Sequence, residues 1–166
     1  MTEITYRNIV PDDLNDLHEI MSHWSVVRQL GGWPWPADPA FTKSRCKAFA
    51  GNGFVWGICQ NDRVIGMVGV TNAEIGYVLH PDFHGRGIVS RAARHACDHA
   101  FDKDGCAEIN ASTWGDNPGS AHLLGKLGFR HWRTGYERSK ARGYPVITHY
   151  WRLTRRDRDS LRVQAD

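Results

Sequence analysis

Hydrophobic and polar positions over the first fifty residues predict a strand, a helix, a rigid loop and a second helix. Residues 4–10 alternate loosely, and residues 14–21 place apolar side chains at helical spacing. Three prolines within 34–39 remove backbone donors and prevent a helix, so we expect a long ordered loop over 31–39. A short helix is predicted around residues 40–50.

The middle of the chain predicts consecutive strands. Two β-rich runs, 54–59 and 64–70, flank Asn61 and Asp62, a pair typical of a hairpin turn. Residues 73–79 continue the sheet. The clearest helix comes after this part, where apolar residues recur at intervals of three and four up to residue 101. Most of them are alanine or cysteine, so the helix axis can lie close against a sheet.

The last third predicts a strand, a helix and two further strands. Residues 106–113 have strand character, and Asn117, followed by a proline, is typical of a helix N-cap. Gly128 ends that helix. Two long strands joined by a broad turn are expected over 129–138 and 146–153.

Composition limits the class of protein. A length of 166 residues predicts one domain over 1–166. Apolar residues make up 41% and charged residues 23%, as in an ordinary soluble globular protein. No apolar run approaches the roughly 20 residues that span a bilayer, and the first residues lack the pattern of a signal peptide. The sequence therefore predicts neither a membrane protein nor a secreted one.

Cysteine usage and charge refine this picture. The four cysteines contain no C-x-x-C pair, which favours a reducing, cytoplasmic setting. Residues 130–166 hold ten lysines and arginines against four acidic residues, and we expect 155–166 to be a frayed basic tail. A nucleic-acid-binding domain is one reading of this excess, but the basic residues are scattered along strand-like segments, so no nucleic-acid partner is expected.

A glycine-containing turn at 84–87 carries the first chemical signal. It stands between a predicted strand and a predicted helix, an arrangement that presents unpaired backbone N–H groups and the positive helix end to an anion. No Lys-Ser or Lys-Thr follows the glycines and no G-x-G-x-x-G is present, which excludes a P-loop and a dinucleotide fingerprint. The turn predicts a phosphate-binding site of another kind.

The segments around this turn resemble a known family. Residues 72–96 read NAEIGYVLHPDFHGRGIVSRAARHA, and residues 117–129 read NPGSAHLLGKLGF. They resemble the GNAT superfamily of acetyl-CoA-dependent N-acetyltransferases, and within it the ribosomal-protein N-terminal acetyltransferase (RimJ/RimL-like) branch. The resemblance covers nearly the whole chain. It implies an α+β fold, the GNAT acyl-CoA N-acyltransferase fold, with a mixed, splayed sheet of six to seven strands flanked by helices, and acetyl-CoA between the fourth and fifth strands.

The resemblance also implies which residues bind acetyl-CoA. The signature turn that wraps the pyrophosphate falls on residues 84–89, and Asn117 holds the pantetheine arm. The implied cofactor-binding residues are Leu79, His84, Gly85, Arg86, Gly87, Ile88, Val89, Ser90 and Asn117. His84 replaces the usual Gln or Arg and Val89 replaces a small residue, so we expect weakened but not abolished binding of coenzyme A.

Two residues are candidates for proton transfer, and no metal is expected. A neutral amine attacks the thioester directly, aided by positioning and by removal of its proton. Glu74 resembles the carboxylate that acts as base on the fourth strand of several such enzymes. Many members protonate the departing thiolate with a tyrosine, but that position is Leu124 here. The resemblance implies that the serine of the N-x-x-S motif lies close to the sulfur in this branch, so Ser120 becomes the candidate.

The acceptor amine is a further expectation. The resemblance places the proline loop beside the acetyl group, where Trp33 and Trp35 would form a rigid apolar wall for the substrate. This favours a small-molecule or amino-acid-like amine over a peptide N-terminus, which stays an alternative. A non-catalytic acyl-CoA-binding module of the same fold is another alternative, and a homodimer is compatible with the resemblance.

Overall fold

A computed structural model describes the backbone of residues 3–165 and the side chains of residues 3–163. The strands are β1 (Ile4–Asn8), β2 (Gly53–Gln60), β3 (Arg63–Thr71), β4 (Glu74–Leu79), β5 (Glu108–Trp114), β6 (Arg130–Arg138) and β7 (Pro145–Thr154). The helices are α1 (Leu14–Met21), α2 (Trp24–Val27), α3 (Pro39–Arg45), α4 (Ile88–Asp102), α5 (Pro118–Lys126) and α6 (Arg155–Ala165).

All seven strands of the described chain form one mixed sheet in the order β1-β2-β3-β4-β5-β7-β6. This confirms the predicted α+β class and strand number. Asn61 and Asp62 form the predicted β2–β3 turn with φ values of 49° and 65°, a left-handed conformation that asparagine and aspartate tolerate better than most residues. The chain between residues 3 and 165 contains no helix with the length and apolar character needed to cross a bilayer.

The sheet is divided between β4 and β5. These two strands run parallel, and in the described chain their register holds the single pair Glu74–Asn110. By contrast, β5 pairs with β7 over its full length from Glu108 to Trp114. The sheet therefore opens beyond Glu74 into a V-shaped gap between the two strands.

Each face of the sheet covers its own core. One cluster joins the alanine-rich side of α4, including Ala93 and Ala96, to Ile75 and Leu79 of β4. The other joins α1 and α2 to Val78 of the same strand. Because side chains alternate along a strand, residues 74, 76 and 78 face α1 and α2, whereas Ile75, Tyr77 and Leu79 face α4.

Several expectations are corrected by the structure. The short helix expected around 40–50 ends at Arg45, and α2 was not expected. Residues 155–165 form helix α6 instead of a frayed tail, because Arg158 lies against carboxylates of α4; residue 166 lies outside the described residues. Trp24 on α2 and Trp132 on β6 are large apolar residues of regular elements, yet they are 39% and 51% exposed.

Candidate functional site

The V-shaped gap opens into a cavity of about 790 Å³, here called the strand-gap cavity. Its walls come from β4 and β5, from the turn before α4, from the first residues of α4, from α5, from residues 25–31 near α2, and from Glu137 of β6. This volume lies in the ordinary range for a small-molecule or cofactor site. The parting of the two strands thus creates a recess beside the motifs.

The turn before α4 fits an anionic group. Gly85 and Gly87 have φ values of 74° and 68°, and a Cβ built on Gly85 meets nothing within 4 Å. Gly87 is the N-cap of α4, and no side chain caps the first N–H groups of that helix. These N–H groups and the positive end of the helix are therefore available to a phosphate, as acetyl-CoA would require.

Most of the residues assigned to cofactor binding line the strand-gap cavity. They are Leu79, His84, Gly85, Gly87, Ile88, Val89, Ser90 and Asn117. Nε2 of His84 donates to the Leu79 carbonyl over 2.9 Å, which fixes the start of the turn. Arg86 does not line the cavity; its guanidinium donates to the Asp82 carbonyl and lies over Phe83.

Ser120 lies in the first turn of α5, beside β4. Its backbone N–H donates to the side chain of Asn117, the N-cap of this helix. Its hydroxyl lies 2.5 Å from the phenol oxygen of Tyr77. Since both Ser120 and Tyr77 line the cavity, a hydrogen-bonded hydroxyl pair faces the space where a ligand would enter.

Tyr77 was not predicted as a functional residue. Burial raises the pKa of its phenol to about 12, and the hydrogen bond with Ser120 opposes this only in part. The phenol therefore keeps its proton at neutral pH, and either of the two hydroxyls can be the donor in this pair. Leu124, the position where many family members carry a tyrosine, is fully buried in the core. A tyrosine hydroxyl is thus present, but it comes from β4 instead of α5.

Glu74 stands at the closed end of the gap, where β4 and β5 still pair. Its side chain is exposed and lines the cavity. The hydroxyl of Ser112, on β5, donates to its carboxylate over 3.2 Å. This hydrogen bond orients the carboxylate across the two strands, in a position to accept a proton.

A second cavity of about 610 Å³ lies on the α1 and α2 face of the sheet, here called the α3 cavity. Trp33 and Phe41 form part of its wall, with their rings edge to face at 5.2 Å. Trp35 lines neither cavity; it packs against Trp24 at 5.2 Å and is 38% exposed. The proline loop thus places one of its two tryptophans at the cavity.

The two cavities meet at β4. Both are lined by Leu30, Gly31, Gly76, Tyr77 and Val78. A Cβ built on Gly76 meets nothing within 4 Å, so the absence of a side chain at this position keeps the junction open. A group held in the α3 cavity can therefore approach a group held in the gap.

A buried arginine joins three segments of the chain beside the strand-gap cavity. Arg142, in the β6–β7 turn, donates two hydrogen bonds to the carboxylate of Asp116 and one to the carbonyl of Arg28. Asp116 also pairs with the Arg28 side chain. The β6–β7 turn does not line either cavity, but it holds the end of α2 and the loop after β5 in place.

Further cavity residues were missed by the sequence reasoning. Lys126 and His122 of α5 line the strand-gap cavity, and Arg45 and Lys47 line the α3 cavity. Lys126 belongs to the K-L-G-F motif, which was the available signal; the other three carried none. Over residues 3–165, no three His, Cys, Asp or Glu side chains are grouped closely enough to hold a metal ion.

Comparisons with known proteins agree with this geometry. The uncharacterized N-acetyltransferase YoaA of Bacillus subtilis is 32% identical over 87 residues, which are 47% of this chain and 49% of YoaA. The match thus spans about half the length of that relative.

Solved structures match over nearly the whole chain. RimL, a ribosomal L7/L12 alpha-N-protein acetyltransferase in complex with coenzyme A, has a TM-score of 0.77 at 15% identity, over 93% of this chain and 95% of that one. A spermidine N-acetyltransferase SpeG chimera from Vibrio cholerae and hSSAT has the same TM-score and identity, over 92% and 96%. At this identity the likeness shows a shared fold.

A family model decides the classification. The model described as acetyltransferase (GNAT) domain matches residues 3–130, which include β4, the glycine turn, α4 and α5. Those elements build the strand-gap cavity and carry Glu74, Tyr77 and Ser120. The chain belongs to the GNAT acetyltransferase family.

Proposed function

We propose that the protein is an N-acetyltransferase that moves the acetyl group of acetyl-CoA to the primary amine of a small molecule. The observation that carries this proposal is the junction of two cavities at Gly76. The strand-gap cavity offers uncapped helix N–H groups to phosphates, and the α3 cavity offers a separate place for the acceptor. Positioning both reactants in this way supplies much of the rate of a direct transfer.

Each side chain at the junction has a proposed role. Acetyl-CoA, when bound, supplies a thioester carbonyl that a neutral amine attacks, forming a C–N bond as the C–S bond breaks. Glu74 accepts the proton that the amine loses. Ser120 donates a hydrogen bond to the sulfur, and the protonated phenol of Tyr77 donates to Ser120.

Two alternatives are less well supported. A binding module without turnover was suggested by Val89 and by the leucine at 124. Val89 is half-buried and packs on the core, and Tyr77 places a hydroxyl beside Ser120, which favours turnover. A peptide N-terminus as acceptor matches what RimL is named for.

The E-I-G-Y and N-x-x-S motifs support assignment to the RimJ/RimL-like branch, and the four free cysteines support a cytoplasmic location.

Binding and turnover test the proposal separately. Gly87→Glu places a carboxylate where the phosphates are proposed to bind, and calorimetry should show loss of coenzyme A binding. Gly105→Glu is the matched control, because Gly105 also has a positive φ, and a Cβ added there meets nothing within 4 Å. A thiol-release assay with a panel of amines then measures turnover. Unchanged affinity in Gly87→Glu would overturn the cofactor placement, and bound coenzyme A without turnover on any amine would favour the binding module.

A further inference from the structure

The α3 cavity has a distinct charge distribution. Among the residues described, its lining includes two charged side chains, Arg45 and Lys47, and no carboxylate. Both are exposed at the rim, where α3 ends and the following loop begins. Lys140, from the β6–β7 turn, adds a third positive charge, since its Nζ lies 4.4 Å from the centre of the Phe41 ring. The guanidinium of Arg45 lies 4.8 Å from the same ring. The rim therefore attracts an anionic group.

The remainder of the cavity is mostly apolar. The apolar residues that line it are Leu30, Trp33, Phe41, Phe49, Val55, Met67, Val68 and Val78, and the polar residues Ser44, Thr71 and Tyr77 line it as well. Such walls bury an aliphatic or aromatic group of matching size. A ligand that fills this space would combine an apolar body with an anionic end.

The neighbouring strand-gap cavity carries a negative charge next to the junction. Gly76 and Val78 line the α3 cavity, and Glu74 lies on the same face of β4. A carboxylate thus stands beyond the junction, and cations stand at the rim. This polarity matches a molecule that carries an amine at one end and a carboxylate at the other.

We propose that the acceptor is a free α-amino acid with an apolar or aromatic side chain. Arg45 and Lys47 hold its carboxylate, the apolar walls hold its side chain, and its amine points past Gly76 into the strand gap. This assignment rests on the proposed function, because it assumes that the bound amine is acetylated. A polyamine such as spermidine lacks the anionic group and meets like charges at the rim, and the first residue of a peptide has no free carboxylate for Arg45 and Lys47.

Matched acceptors test the assignment. L-phenylalanine and L-phenylalaninamide share the amine and the side chain and differ in the carboxylate. In a thiol-release assay with acetyl-CoA, we expect a higher kcat/KM for L-phenylalanine. The ratio of the two kcat/KM values should fall about tenfold in the double variant Arg45→Gln, Lys47→Gln. Lys43→Gln is the control, because Lys43 lies on the same helix and does not line the cavity.

Direct binding separates failure of this inference from failure of the proposed function. Calorimetric titration of L-phenylalanine into the protein saturated with coenzyme A should show binding that weakens about tenfold in the double variant. If amines are acetylated but the amide, spermidine or a tripeptide is preferred, the acceptor assignment is wrong and the proposed function stands. If no amine is acetylated, the proposed function fails, and calorimetry still decides whether the α3 cavity binds the amino acid. Absence of binding, or binding unaffected by the double variant, would overturn the assignment.

Discussion

At the scale of single residues, the hydrogen bond between Tyr77 and Ser120 links a strand to a helix inside the proposed reaction site. Removing the serine hydroxyl in Ser120→Ala should lower kcat about tenfold, because the sulfur loses its donor. Coenzyme A affinity should change little, since the phosphates are proposed to bind at the turn before α4. Steady-state kinetics and calorimetry measure the two quantities separately.

A double-mutant cycle tests whether Tyr77 acts through Ser120. Tyr77→Phe should lower kcat about threefold, and the double variant should be no slower than Ser120→Ala alone. Tyr136→Phe is a suitable control, because Tyr136 is 73% exposed on β6 and lines neither cavity. Fully additive losses would show that the phenol acts independently of the serine.

The role of Glu74 is tested by the pH dependence of turnover. If this carboxylate removes the amine proton, it contributes to the acidic limb of the rate–pH profile, together with protonation of the amine itself. Glu74→Gln should lower kcat/KM and remove the contribution of the carboxylate to that limb. Glu108→Gln, a charge change elsewhere in the sheet, should retain it. A wild-type profile in Glu74→Gln would assign proton removal to another group or to water.

Gly76 offers a steric test of the junction between the cavities. Gly76→Val adds a side chain to a strand position with open space and should raise the KM of the acceptor about tenfold or more. Gly125→Ala, with similar space on α5 outside both cavities, should leave the KM unchanged. An unaltered KM in Gly76→Val would place the acceptor elsewhere.

Individual candidate site residues could be named from the sequence only where they lie in a recognisable motif. Glu74, Ser120 and the glycine turn lie in recognisable segments. Tyr77 lies in the same E-I-G-Y segment, yet its importance depends on a hydroxyl 43 positions further along the chain. Arg45 and Lys47 could not be singled out from the sequence. An exposed basic residue indicates a binding site only when it lies beside a cavity, and the cavity is visible only in the structure.

At the scale of elements, the Arg142–Asp116 ion pair joins the β6–β7 turn to the loop after β5. Hydrogen bonds from Arg142 hold the pKa of Asp116 below its ordinary value, and partial burial opposes this only in part. Because the pKa is lower in the folded state, the stabilisation is complete above the unfolded value of about 3.9 and is lost as the pH falls through the folded value.

Asp116→Asn should therefore lower the free energy of unfolding at pH 7 by about 1 kcal/mol, a small figure because the carboxylate is 42% exposed. The difference from wild type should shrink below about pH 4. Urea unfolding at several pH values measures it, with Asp12→Asn, an exposed carboxylate, as control. A difference that is constant with pH would exclude the charge as its source.

Elements were predictable where hydrophobic periodicity or a capping residue marked them, as for β2, β3, α4 and α5. Helix α6 was missed for a physical reason. Its contacts with α4 come from arginines: Arg158 pairs with Asp102 at 2.9 Å, and the guanidinium groups of Arg155 and Arg158 lie over the Phe101 ring. An interface made by charged side chains leaves no apolar stripe in the sequence. Helix α2 has four residues, too few to show a period.

At the scale of the whole molecule, α6 connects the C-terminal strands to α4. Arg158, with a side chain 9% exposed, pairs with Asp98 and Asp102 of α4. Arg158→Ala leaves these carboxylates with fewer partners and should lower the free energy of unfolding by about 1 to 2 kcal/mol. Arg156→Ala, an exposed arginine on the same helix, should change it far less. Equal effects in urea unfolding would contradict this role of α6.

The single strand pair Glu74–Asn110 has a consequence for cooperativity. Main-chain hydrogen bonds are fewest at the centre of the sheet, so local opening there should allow amide hydrogen exchange in β4 and β5 ahead of β2 and β3. A ligand that contacts both sides of the gap would suppress this opening. Coenzyme A at about 100 times its Kd adds about 2.7 kcal/mol of stability, so the bound form should exchange and unfold as one unit.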